Sequence, residues 1–145
     1  MNELSKELNS FLADLAVFYR KLQNYHWNII GKDFFVLHAK LEEYYNEINE
    51  QIDEIAEHIL ILGKQPLGTM KDYLEITSIQ EAKNEKIEDK QMLTKIIADF
   101  ETLLQKAIQI KELAEEKKSY NTSSLIDNYI TDYSKKLWML KQSME

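Results

Sequence analysis

The chain has no cysteine, one proline, three glycines and, among its 18 basic residues, one arginine, Arg20. Without cysteine there is no disulfide framework and no thiolate to bind metal or attack a substrate. Proline and glycine are too scarce for a loop-rich or turn-rich fold, and they cluster: Gly31, Gly63, Pro66 and Gly68 all fall within one stretch. A lone arginine leaves almost no material for bidentate recognition of phosphates or bases. Positive charge is short overall, with 25 acidic residues giving a net charge of −7, which opposes non-specific association with nucleic acid. No apolar run approaches the 18 or so residues that would span a bilayer. The first ten residues, MNELSKELNS, lack the apolar centre of a signal peptide, so a cytoplasmic location and no membrane association are expected.

What is present is helical periodicity. At 145 residues and 44% apolar content, one domain spanning residues 1–145 is expected. Leu4, Leu8, Phe11, Leu15, Phe18, Leu22 and Tyr25 recur at three- and four-residue steps, predicting a helix from Glu3 to about Ile30. A second stripe runs from Phe34 through Leu41, Ile48, Ile55 and Ile59 to Leu62, ended by Gly63. The charged stretch between Thr69 and about Lys90 reads as a long connection with one short helix near Met70–Ile76. A third stripe spans about Asp89 to Lys118, and a fourth runs through Leu125, Tyr129, Tyr133, Leu137 and Leu140, with Asn121 or Thr122 as its cap. No strand pattern competes. Four long helices with a long second connection predict an all-α, ferritin-like four-helix bundle.

One helix face holds the candidate chemistry. At roughly 100° per residue, Glu42, Asp53 and Glu57 lie about 40°, 60° and 100° round from His38. His38 and Asp53 are nevertheless roughly 22 Å apart along the axis at 1.5 Å per residue, ten times a metal–ligand bond of about 2.0–2.2 Å. One helix cannot bring them to one ion. A second copy packed antiparallel about a two-fold axis joins the His38 end of one helix to the Asp53/Glu57 end of the other. The plainer reading of the same residues is a solvated acidic face on a helical interaction module. His26, at the end of the first helix, adds a second imidazole near the His38 end and favours the metal. No Glu lies three residues before any histidine (those positions are Gln23, Phe35 and Ile55), so the Glu-x-x-His motif of a di-iron centre inside one bundle is missing.

These residues resemble a known family. His26-Trp27-Asn28, Gly31 to His38 in the pattern Gly-x-x-Phe-x-x-Leu-His, Asp53 to Glu57, and Leu62 to Gly68 in the pattern Leu-Gly-x-x-Pro-x-Gly are similar to the Dps mini-ferritins. So are Asp72–Glu75 and Leu137–Leu140. The resemblance implies a homo-oligomer, a hollow shell of twelve subunits, that oxidises ferrous iron with hydrogen peroxide and stores the ferric product. It implies ferroxidase sites at two-fold interfaces, with His26 and His38 from one subunit and Asp53 and Glu57 from its neighbour. Glu57 is then placed to bridge two irons. Glu42 stands where the family usually has aspartate, and is carried as a further metal ligand. Trp27 is implied beside the site, with a part in electron transfer. Asp127 and Asp132 are the residues of the fourth helix expected to line an iron entry pore, although Ser123 and Ser124 occupy its first turn. His58 is expected at the surface or an interface, and Trp138 in the core.

A nucleoid role, binding and protecting DNA with iron oxidation secondary, is the rival reading. Members of the family that bind DNA use Lys/Arg-rich tails. Here the residues before the first helix carry no Lys or Arg and only Lys141 is basic after Trp138, so direct DNA binding is not expected.

Overall fold

In the computed structural model, which describes residues 2–145, four long helices pack as a bundle. They are α1 (Asn2–Asn28), α2 (Phe34–Ile61), α4 (Asp89–Glu116) and α5 (Tyr120–Gln142), with the short α3 (Met70–Ile76) in the connection between α2 and α4. The predicted stripes face inward: Leu8, Phe11, Leu15, Phe18 and Leu22 of α1 are buried with Leu41, Ile48 and Ile55 of α2, Phe100 and Leu103 of α4, and Ile126 and Tyr133 of α5.

Side-chain pairs fix the direction of each helix. Lys21 meets Asp99, Asp14 meets Lys106 and Glu3 meets Lys117, so α1 and α4 are antiparallel. Gln51 meets Tyr133, and His58 meets Thr122, so α2 and α5 are antiparallel too. With α1 and α2 joined by a tight turn, α2 and α4 must run the same way, and residues 62–88 have to travel the length of the bundle. Asp14, fully buried on α1, holds that connection in passing. Its carboxylate accepts from the Thr77 hydroxyl at 2.8 Å and from the Ser78 amide at 2.7 Å, and lies 3.4 Å from the Lys106 ammonium. Thr69 caps α3 by accepting from the Asp72 amide.

Four expectations need correction. The first helix stops at Asn28, because Ile29 and Ile30 (β1) leave the helix and pair in parallel with Ile87 and Glu88 (β2), an extended bridge that periodicity did not reveal. Gly31 turns the chain back with φ 136°, and a Cβ there would lie 2.7 Å from the Asp89 carboxylate. The fourth helix starts at Tyr120 with Ser119 at its N-cap, rather than capping at Asn121 or Thr122. The preceding helix closes on Lys118 in the left-handed region (φ 59°), with the Ser119 amide donating to the Ala114 carbonyl at 2.8 Å. Trp138 is 61% exposed: Tyr133, Leu137 and Leu140 take the buried face, and the intervening residue points away. His58 is buried rather than superficial, since it lies three residues after Ile55 and so shares its inward face.

Candidate metal centre

The turn at Gly31 folds the end of α1 onto the start of α2 and sets His26 against His38. Their rings stack with centroids 3.6 Å apart and planes 11° from parallel. Each Nδ1 lies within hydrogen-bond distance of the other residue's backbone carbonyl, at 2.7 Å for His26 and 2.8 Å for His38. A carbonyl oxygen can only accept, so both Nδ1 atoms carry hydrogen and each neutral ring keeps its lone pair on Nε2. That is the tautomer a metal ligand requires, fixed by the partner a metal-binding histidine usually has behind it. Phe34 stacks on His38 at 5.0 Å and the Tyr45 ring meets His26 edge-on at 5.3 Å, so aromatic rings hold the pair from both sides.

Glu42, one turn beyond His38, brings a carboxylate oxygen to 3.7 Å from His26 Nε2. It is the one candidate carboxylate next to the imidazoles. Asp53 and Glu57 lie exposed farther along α2, as the helix spacing requires. Among the described residues, no three His, Asp or Glu side chains converge on a common point. The chain stacks His26 on His38 and sets Glu42 beside His26 alone, and it leaves Asp53 and Glu57 apart from all three. Large apolar side chains flank both ends of the same helix: Phe35 is 86% exposed near His38, and Ile61 is 70% exposed beyond Glu57.

The other candidates are differently placed. Trp27 is 56% exposed and lies under the Arg20 guanidinium, 6.0 Å from its ring centroid. Asp127 is paired with Lys111 at 2.9 Å and Asp132 with Lys136 at 2.6 Å, so each already has a cation within its own chain. His58 Nε2 lies 2.7 Å from the Thr122 hydroxyl, which in turn contacts the Ser119 hydroxyl at 2.8 Å. Burial pushes the His58 imidazole below its ordinary pKa, and the nearby Glu54 opposes that shift. Tyr129, hydrogen-bonded to Glu54, and Tyr133, bonded to Gln51 at 2.6 Å, extend this α2–α5 polar ladder. Burial raises both phenols, so they are protonated hydrogen-bond donors. Sequence reading missed this ladder. Its one advance signal was polar Gln51 and His58 standing in register with Ile48, Ile55 and Ile59.

Known proteins share this arrangement of sequence and fold. Residues 5–145 match the ferritin-like domain family. The DNA protection during starvation protein 2 of Bacillus anthracis is 42% identical over 134 residues, covering 92% of this chain and 91% of that one. The crystal structure of a Dps protein from Vibrio cholerae, described as a member of a broad superfamily of ferritin-like diiron-carboxylate proteins, superposes with a TM-score of 0.96 at 38% identity. That match covers 99% of this chain and 90% of that one. Dps from Staphylococcus aureus superposes with a TM-score of 0.96 at 33% identity, over 100% of this chain and 97% of its own. With sequence and backbone alike matched from end to end, this chain belongs to the Dps family of ferritin-like proteins.

Proposed function

We propose that the protein is a ferroxidase and iron-storing mini-ferritin, whose sites are completed only when two chains meet. One chain contributes His26 and His38, with Glu42 beside them, and its neighbour contributes Asp53 and Glu57. The observation that carries this reading is the histidine pair. Two imidazoles with Nδ1–H committed to carbonyls and both Nε2 lone pairs free are a prepared half of a metal site. The exposed apolar residues at both ends of α2 support the antiparallel contact that supplies the other half.

Iron enters as substrate. Imidazole and carboxylate together suit Fe(II), and a site that holds iron only weakly passes the ferric product on to a mineral store. Hydrogen peroxide is the proposed oxidant. Two ferrous ions give up one electron each, the O–O bond breaks, and both oxygens leave as water or hydroxide. Removing ferrous iron and peroxide together protects against oxidative damage. Redox-inert zinc would occupy the same ligands and inhibit. A dodecameric shell in the cytoplasm completes the proposal.

The test is stopped-flow absorbance of anaerobic Fe(II)-loaded protein mixed with peroxide, comparing wild type with His38→Ala/Asp53→Ala. Rapid ferric growth in wild type, lost in the variant while gel filtration shows the assembly intact, is the expected result. Equal rates would refute the ligand assignment. The name carried by the B. anthracis relative raises a second reading, protection of DNA by direct binding. The net charge of −7 weighs against it, and a gel shift at low salt that disappears as salt rises would restore it.

A further inference from the structure

One place in this acidic chain gathers positive charge. A cavity of about 170 Å³ lies where the connection before α4 crosses the end of α1 and the start of α4. Four lysines line it: Lys21 from α1, Lys83 and Lys86 from the connection, and Lys95 from α4. Two carboxylates line it as well, Glu81 and Glu85. Four ammonium groups against two carboxylates leave an excess of two, one of which, Lys21, is matched by Asp99 at 2.8 Å. The wall is thus net positive in a chain of net charge −7, and a cleft lined by one sign of charge concentrates ions of the other.

The groups around the cavity are of two kinds. Lys21 and Tyr25 are 6% and 3% exposed, so packing holds them in place. Lys83, Lys86 and Lys95 are exposed, and among the described residues none of them pairs with a carboxylate. Lys106, Lys111, Lys117, Lys136 and Lys141 each have such a partner within the chain. The lysines at the cavity keep their charge for something else.

We propose that this cavity binds a phosphate group, either as the free ion or at the end of a nucleotide. Lysine ammoniums are compact point charges, suited to a small tetrahedral anion approached from several sides, and the Tyr25 phenol adds a neutral donor. Exposed Glu81 and Glu85 oppose a long polyanion, which would have to lie across them, more than a single anion seated between the buried and exposed groups. A larger cleft of about 390 Å³ adjoins through Lys21, Glu81 and Ala82, with Trp27 and Asn24 on its walls, so a nucleoside attached to the phosphate has room. The anion would touch α1, the connection and α4 at once, and so would fasten residues 80–87 to the two helices. This site is independent of the ferroxidase reading.

The experiment is calorimetric titration of the assembled, iron-free protein with inorganic phosphate, in about 150 mM salt to screen exposed charges beyond about 8 Å. Saturable binding of one phosphate per chain is expected. Lys83→Gln/Lys86→Gln should weaken it at least about tenfold, and Tyr25→Phe by a smaller factor, as for lost hydrogen bonds to a charged group. The pair Lys71→Gln/Lys90→Gln removes the same charge outside the cavity and should bind as wild type. All four lysines are exposed, so neither pair disturbs the core. Adenosine monophosphate in the same titration separates the sources. Affinity equal to that of phosphate supports the free ion, and tighter binding that is lost in Lys83→Gln/Lys86→Gln supports a nucleotide. No saturable binding of either, undiminished binding in Lys83→Gln/Lys86→Gln, or equal weakening in the control pair would overturn the site. Retardation of duplex DNA by these lysines, with neither small ligand bound, would make them a nucleic-acid surface and overturn it too.

Discussion

Two faces of α2 treat their polar residues in opposite ways. Toward α5, Gln51, Glu54 and His58 each meet a partner on the other helix: Tyr133, Tyr129 and Thr122. Away from it, the hydrogen bond on His38 Nδ1 leaves its Nε2 free, as it does for His26 stacked on it from α1, and Asp53 and Glu57 stand in solvent. One helix thus carries a closed set of polar groups and an open one. Buried polar atoms whose valences are filled within the chain hold it together. Groups oriented by one hydrogen bond and left with a lone pair are prepared for something that comes from outside.

The largest effect that separates the faces is on iron. Asp53→Ala alone should slow ferric growth by more than about 100-fold, since even the outer partners of metal ligands are worth 10–100-fold. Its unfolding free energy should shift by less than about 0.5 kcal/mol, as for other surface changes. A large loss of stability with iron oxidation intact would invert the comparison. Tyr133→Phe probes the closed face. It leaves the buried Gln51 carbonyl without its donor and should cost about 1–3 kcal/mol in denaturant unfolding, with ferric growth unchanged.

A smaller effect is legible in acid. Burial holds His58 below its ordinary value of 6.5, so between that value and its folded pKa the unfolded chain binds the extra proton. Stability should therefore fall as pH drops below about 6.5 and level off once the folded chain is also protonated. His58→Gln should flatten that slope in urea titrations between pH 7 and 5. An unchanged slope would assign it to other groups. The smallest change concerns the joint before α5, where Lys118 sits at φ 59°. Lys118→Gly should raise stability by about 0.5–1 kcal/mol, because glycine bears no left-handed penalty, and iron oxidation should not respond.

The open face could be read from sequence more readily than the closed one. The bundle followed from the 3.6-residue stripes. The place of His26 at the end of the first helix put a second imidazole near the His38 end. Periodicity places a residue on a side of its own helix, but it does not say what covers that side. His58 is expected at the surface or an interface, yet its spacing from Ile55 sets it inward. Trp138 is expected in the core, but Tyr133, Leu137 and Leu140 fill that face. The bridge of Ile29 to Ile87 joins two residues whose neighbourhoods read as helix end and charged loop, and two residues are too few to show a strand period. In the sequence Asp14 is one charge among several on an amphipathic helix. Only the path of the connection makes it the residue that holds Thr77 and Ser78.

The contacts that close the histidine pair span twelve residues of chain, whereas those of the α2–α5 ladder span 64, 75 and 82. Loop closure grows more costly with separation, and short-range contacts form first. During synthesis α1 and α2 can meet, and the two imidazoles can stack, before α5 has been made. The stacked histidine pair then belongs to the first hairpin to be synthesised, and the ladder that fastens α2 into the bundle has to wait for α5.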